Sequence, residues 1–144
     1  MKHLFFNVIA VILLFCTTVS YGQEKRTIAF SGLPQTAQNF VNKHFSVKEV
    51  STVFYDTDDK EYEVRFSDGS KIEFDKKGSW EEIEDRDNVP AAVMPQPIRD
   101  YLATNHKNTK VRKISADRRG YEVELLGDME LKFNKKGKFL RYDD

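Results

Sequence analysis

The chain has 144 residues, 23 Lys+Arg against 23 Asp+Glu, one cysteine and three histidines. That balance leaves no cationic stripe of the kind a nucleic-acid binder uses to displace counterions. One cysteine cannot form an internal disulfide, and no zinc spacing, phosphate-binding glycine loop or nucleophile elbow occurs in the sequence.

The N-terminus reads as a secretory signal. Met1-Lys2-His3 is a short basic start, Leu4 to Val19 is mostly apolar, and Ser20 and Gly22 are the small residues expected just before a cut at Gln23. The apolar run falls short of the roughly 20 residues that span a bilayer comfortably. Lipidation at Cys16 would call for a small preceding residue, and Phe15 stands there. Residues 1–22 are therefore expected to be removed, leaving a periplasmic or secreted chain with no membrane span. The cysteine leaves with them, so the mature part, 23–144, must be one compact domain held by its core.

From Leu33 onward the chain repeats itself. Leu33-Pro34-Gln35 returns as Met94-Pro95-Gln96, Tyr62-Glu63-Val64 as Tyr121-Glu122-Val123, and Phe74-Asp75-Lys76-Lys77-Gly78-Ser79-Trp80 as Phe133-Asn134-Lys135-Lys136-Gly137-Lys138-Phe139. The order and spacing imply one duplication, with a first unit over 27–88 and a second over 89–144. Each unit opens with a helix. Leu33, Ala37, Phe40, Val41 and Phe45 form one apolar stripe, as do Met94, Ile98, Tyr101 and Leu102. Pro34 and Pro97 fall in first turns, where a missing N–H costs nothing, and 89–93 can add a short helical turn.

Strands follow in each unit. Val50 to Asp56 and Val111 to Asp117 come first, with a bulge suggested by the three-residue spacing of Val50 and Val53. Tyr62, Val64 and Phe66 then alternate with charged residues, as do Ile72 and Phe74. Phase fixes the turns. A three-residue Ser67-Asp68-Gly69 loop pairs Val64 with Ile72 and Tyr62 with Phe74, whereas a two-residue turn would set Phe66 against Lys71. Lys76-Lys77-Gly78 likewise leaves Phe74 opposite Trp80, and Lys135-Lys136-Gly137 leaves Phe133 opposite Phe139. The expected fold is α+β: two helix-plus-four-stranded antiparallel meanders, about eight strands in one sheet, with both helices on one face. Glu84 to Asn88 reads as a polar connector.

These duplicated motifs resemble the exported bacterial PepSY-like domains, also described as β-lactamase-inhibitor-like proteins. The resemblance implies tandem units forming one curved antiparallel sheet, as in the β-lactamase inhibitor protein. It implies association with peptidase inhibition or envelope regulation, without a defined activity. The inhibitor's copies carry disulfides that this mature chain lacks. No partner-contacting residue carries over, because the shared motifs are turn and core positions.

The sheet face away from the helices carries Glu63, Arg65, Lys71, Glu73, Glu122, Glu124, Glu130 and Lys132, and this is the candidate binding surface. Alternating signs point to cross-strand pairing rather than to a general acid and base, which need a pocket that separates their pKa values. Asp56 to Glu61 offers oxygen ligands at alternate positions but lacks the glycine and distal glutamate of a calcium loop. His44 and His106 fall near helix C-termini, where the dipole favours imidazolium. Trp80 is expected to be partly buried at a strand end. No catalytic residue, metal site or cofactor is expected. The sequence points to a non-enzymatic binding module for a protein or peptide of the cell envelope, with a small-molecule, lipid or metal-ion carrier as the alternative.

Overall fold

A computed structural model describes residues 24–143; the signal segment and the Cys16 question lie outside the described residues. The chain forms β1 (Lys25–Ile28), α1 (Gln35–His44), β2 (Val50–Asp56), β3 (Glu61–Phe66), β4 (Lys71–Phe74), β5 (Trp80–Glu84), α2 (Gln96–Asn105), β6 (Val111–Ala116), β7 (Gly120–Leu125), β8 (Glu130–Asn134) and β9 (Phe139–Asp143). One-turn 3-10 segments, Phe30–Gly32 and Ala91–Val93, lead into the two helices. All nine strands form one antiparallel sheet in sequence order. The expected eight strands are thus corrected to nine. The missed strand, β1, is only four residues long and mostly polar, so it has no apolar alternation to announce it.

The register expected from turn phase holds. Val64 pairs with Ile72 and Tyr62 with Phe74, while Phe74 faces Trp80 and Phe133 faces Phe139. The two lysine turns are built alike. Asp75 Oδ1 accepts the N–H groups of Lys77 and Ser79 at 2.8 and 3.0 Å, and Asn134 Oδ1 those of Lys136 and Lys138 at 2.9 Å each. Both turns close through a left-handed glycine, Gly78 at φ 85° and Gly137 at φ 78°. Bulges recur at Val50/Thr52 and Val111/Lys113, and again within the β4–β5 and β8–β9 pairs. Each bulge adds local twist and bends the sheet.

One row of Cα partners crosses every strand: Ile28, Val53, Val64, Ile72, Ile83, Ile114, Val123, Leu131 and Tyr142. Six of these, from Val64 to Leu131, are fully buried, in a single cluster with Ala37 and Val41 of α1 and Ile98 and Leu102 of α2. Rings complete the packing: Phe40 meets Phe74 edge-on at 5.8 Å, and Tyr101 meets Phe133 edge-on at 5.5 Å. Because side chains alternate along a strand, the residues between these positions point to the opposite face.

The connector proves to be an anchored joint. Asp85 is 1% exposed. Its Oδ1 accepts from Lys48 Nζ at 3.2 Å and from the N–H groups of Asp87 and Asn88. Asn88 Oδ1 in turn accepts the Val111 N–H at 2.8 Å, which fixes the start of β6.

Candidate functional site

The strand register gathers all eight candidate residues into two adjacent rows on the face opposite the core. The first runs Thr27, Phe54, Glu63, Glu73, Glu82, Ser115, Glu122, Lys132, Arg141; the second runs Thr52, Arg65, Lys71, Glu84, Lys113, Glu124, Glu130, Asp143. Opposite charges within and between neighbouring strands tie the rows into a ladder. Lys71 reaches Glu73 at 3.0 Å and Glu82 at 3.1 Å, and Lys113 reaches the other Glu82 oxygen at 3.2 Å across the β5–β6 junction. Lys132 bridges Glu122 at 3.3 Å and Asp143 at 2.7 Å. Burial pushes the Glu82 carboxyl up, but Lys71 and Lys113 outweigh it and hold it below the usual carboxylate range.

Glu63 departs from expectation. It was expected to face water but is only 6% exposed. β1 supplies the reason: Lys25 lies 3.0 Å from Glu63 Oε2, and Arg65 binds the other oxygen. Arg65 also lies over the Phe54 ring, 5.1 Å from its centroid. Burial raises the Glu63 pKa, but the two cations outweigh it and leave the pKa below the ordinary value. Glu63 is therefore a structural anion beneath the face.

Two clefts lie at matching places along these rows. One, about 180 Å³, is lined by Lys25, Phe54, Asp56, Glu61, Tyr62, Glu63 and Glu73. The other, about 290 Å³, includes Asp117, Arg119, Tyr121, Glu122, Lys132, Leu140 and Arg141. Their charges differ. Glu73 and Glu82 stand where the second half has Lys132 and Arg141. Beside the first cleft, Glu61 and Glu81 lie close enough for their charges to interact. The Glu61 pKa is raised by burial and by the charges of Glu81, Asp59, Glu73 and Asp56. The Glu81 pKa is raised by burial, Asp75 and Glu73. Sequence reading took Glu61 only as part of the Asp56 to Glu61 loop and missed Glu81, Glu82, Lys113, Arg141 and Asp143. Alternation in Trp80–Glu84 and Phe139–Asp143 would have flagged some of them, but each strand contains a bulge that breaks the phase.

The remaining candidates do not gather here. Asp56 turns inward, and its Oδ1 accepts the N–H groups of Asp58 and Asp59. Among the described residues no group of three or more His, Cys, Asp or Glu is arranged to hold a metal ion. His44 does end α1, but burial near the Phe40 ring and the charge of Lys43 lower its pKa. The expected imidazolium at that helix end is thus corrected toward the neutral ring. His106 follows α2, with Nε2 3.2 Å from the Tyr142 hydroxyl. Trp80 is half-buried, 6.4 Å from the Tyr121 ring.

A nine-stranded antiparallel sheet with two helices and a charged face defines the class, and comparison places the chain within it. The chain belongs to the family described as "Putative beta-lactamase-inhibitor-like, PepSY-like", whose profile matches residues 60–141. It is similar to a Bacteroides thetaiotaomicron protein described as a "putative calcium-regulated periplasmic protein", with 41% identity over 83% of this chain and 97% of that one, TM-score 0.80. A Bacteroides vulgatus protein described as a "putative periplasmic protein" shares 40% identity over 84% of this chain and 98% of that one, TM-score 0.79. A second from that species, described as a periplasmic protein of unknown function, shares 33% over 83% and 99%, TM-score 0.78. No curated protein matches significantly. Among the described residues no helix is long and apolar enough to cross a membrane.

Proposed function

We propose that this chain is an exported, non-enzymatic binding module of the periplasm that holds a protein or peptide on the charged face of its sheet. In this reading residues 1–22 are a removed signal, the two halves are copies of one unit, and both helices cover the same face. The observation that carries it is the pair of mostly charged rows, one crossing all nine strands and the other β2 to β9, with ion pairs along both. The fully buried side chains between helices and sheet favour this over a carrier with an internal cavity. A polarised partner suits the face: basic groups toward Glu61, Glu73 and Glu81, acidic groups toward Arg119, Lys132 and Arg141.

The test is capture from periplasmic extract with the exported protein as bait. Glu73→Lys with Glu122→Lys should weaken capture while leaving the melting temperature nearly unchanged. Substituting Asn42 and Lys43, exposed on α1, should leave capture intact. The opposite pattern would refute the sheet-face reading.

One observation favours a second reading, in which Ca²⁺ acts on this same face. The 41% identical relative is described as calcium-regulated, and Glu61 and Glu81 are carboxyls whose neighbours disfavour their charge. Calorimetric titration with Ca²⁺ should then give heat that Glu61→Gln with Glu81→Gln abolishes. Identical traces would reject it.

A further inference from the structure

The two open edges of the sheet are not equivalent. Among the described residues β9 forms one edge of the sheet, with Leu140 55% and Tyr142 49% exposed. In the first half, β5 holds the corresponding place, and there the outer edge is filled. Ile83 of β5 is fully buried because β6 lies alongside, pairing Ile83 with Ile114 and Glu84 with Lys113. The fold thus shows what such an edge accepts: an antiparallel strand with an apolar residue opposite the apolar one and opposite charges beside it. For β9 that rule asks for an acid opposite Arg141, an apolar residue opposite Tyr142 and a base opposite Asp143. Reading along the incoming strand, this is base, apolar, acid.

Arg141-Tyr142-Asp143 itself has that order. We propose that β9 pairs with β9 of a second copy of this chain, antiparallel about a two-fold axis at Tyr142, making one sheet continuous across both molecules. Each Arg141 then faces the second copy's Asp143, and the two Tyr142 side chains meet on the core side. Shifting the axis by one residue would set Arg141 against Arg141, so charge selects the register, since like charges directly opposite repel. An edge strand leaves alternate backbone N–H and C=O groups unpaired, and this pairing satisfies them. Arg141 and Asp143 also end the two charged rows, but the pairing needs only the outer edge of β9, and sedimentation of the protein alone tests it apart from the binding reading above.

Sedimentation of the exported protein over a concentration series tests the inference. A dimer should form reversibly and weakly, as expected for interfaces below about 1,200 Å². Arg141→Asp alone and Asp143→Arg alone each set like charges across the axis and should weaken dimerisation at least about tenfold, a loss of about 1.4 kcal/mol. The double exchange, Arg141→Asp with Asp143→Arg, restores opposite charges and should recover the dimer. Circular dichroism melting keeps misfolding apart from loss of pairing. Lys43→Glu, exposed on α1, should leave the dimer unchanged. A monomer throughout the series, including one that binds an added extended peptide instead, would overturn the proposal. So would a dimer indifferent to either single reversal, or a double exchange that fails to restore it.

Discussion

Replacing Gly78 and Gly137 by alanine separates two costs that usually arrive together. Both residues close a lysine turn with positive φ, 85° and 78°. A non-glycine residue held there loses about 1–2 kcal/mol to the clash between its Cβ and the backbone. The surroundings then differ. A Cβ on Gly78 would stand 2.9 Å from the Ala37 backbone nitrogen and 2.9 Å from Pro34 Cβ, at the start of α1. Neither atom is the end of a flexible side chain, so the turn or the helix must move. On Gly137 the nearest atom is Pro97 Cβ at 3.1 Å, and a few tenths of an ångström of adjustment suffices. Overpacking of a fixed contact adds about 1–3 kcal/mol. Gly137→Ala should thus cost about 1–2 kcal/mol and Gly78→Ala about 2–5 kcal/mol, with the difference assigned to the α1 contact. Urea unfolding with a shared m-value gives both numbers. Equal losses, or a larger loss at Gly137, would refute the packing argument; no loss at either would refute the turn geometry.

Glu61→Gln with Glu81→Gln should stabilise the protein at neutral pH. Their folded pKa values are raised, so their contribution is most favourable below the unfolded value near pH 4.3 and is lost as pH rises through the folded values. The gain at pH 7, no more than about 1 kcal/mol for half-exposed carboxyls, should vanish in melts near pH 4. Lys48→Met should cost about 2 kcal/mol, because it strips a charge-assisted hydrogen bond from the buried Asp85 carboxylate. Lys110→Met, which removes only the exposed Asp87 pair, should stay within about 0.5 kcal/mol in the same denaturation assay.

The strands and turns that turn phase determines were legible in the sequence, because a shift of one residue moves every side chain to the other face. Val64 against Ile72 and Phe133 against Phe139 follow from counting loop residues between apolar positions. All eight candidate site residues lie on one face for the same reason. Legibility stops where a partner changes what a residue does. Glu63 looks like any outward glutamate in an alternating strand. Only β1, a short polar strand pairing Lys25 and Thr27 with Asp56 and Phe54, brings the lysine that buries it. Asp85 looks like a linker residue until its 1% exposure and three donors are seen. His44 shows the limit of a local rule, since burial and Lys43 lower the pKa that the helix dipole alone would raise.

The two halves of the charged face carry different electrostatic loads. In the second half Lys132 answers both Glu122 and Asp143. In the first, Lys71 answers Glu73 and Glu82, while the raised pKa values of Glu61 and Glu81 record carboxylates crowded beyond what nearby cations offset. The Glu73 charge is one of those that raise both the Glu61 and the Glu81 pKa. Nothing in the core requires this arrangement. Ile72, Ile83 and Val64 would be equally buried with Gln in place of Glu61 and Glu81, since those carboxyls lie outside the core cluster. Natural sequences depart from local consistency mainly at functional or strained sites. A local stability cost on the open side of the sheet is therefore the physical reason to place the proposed contact at the Glu61–Glu81 end. The mutants that should stabilise the fold at pH 7 are then the ones that should bind worst.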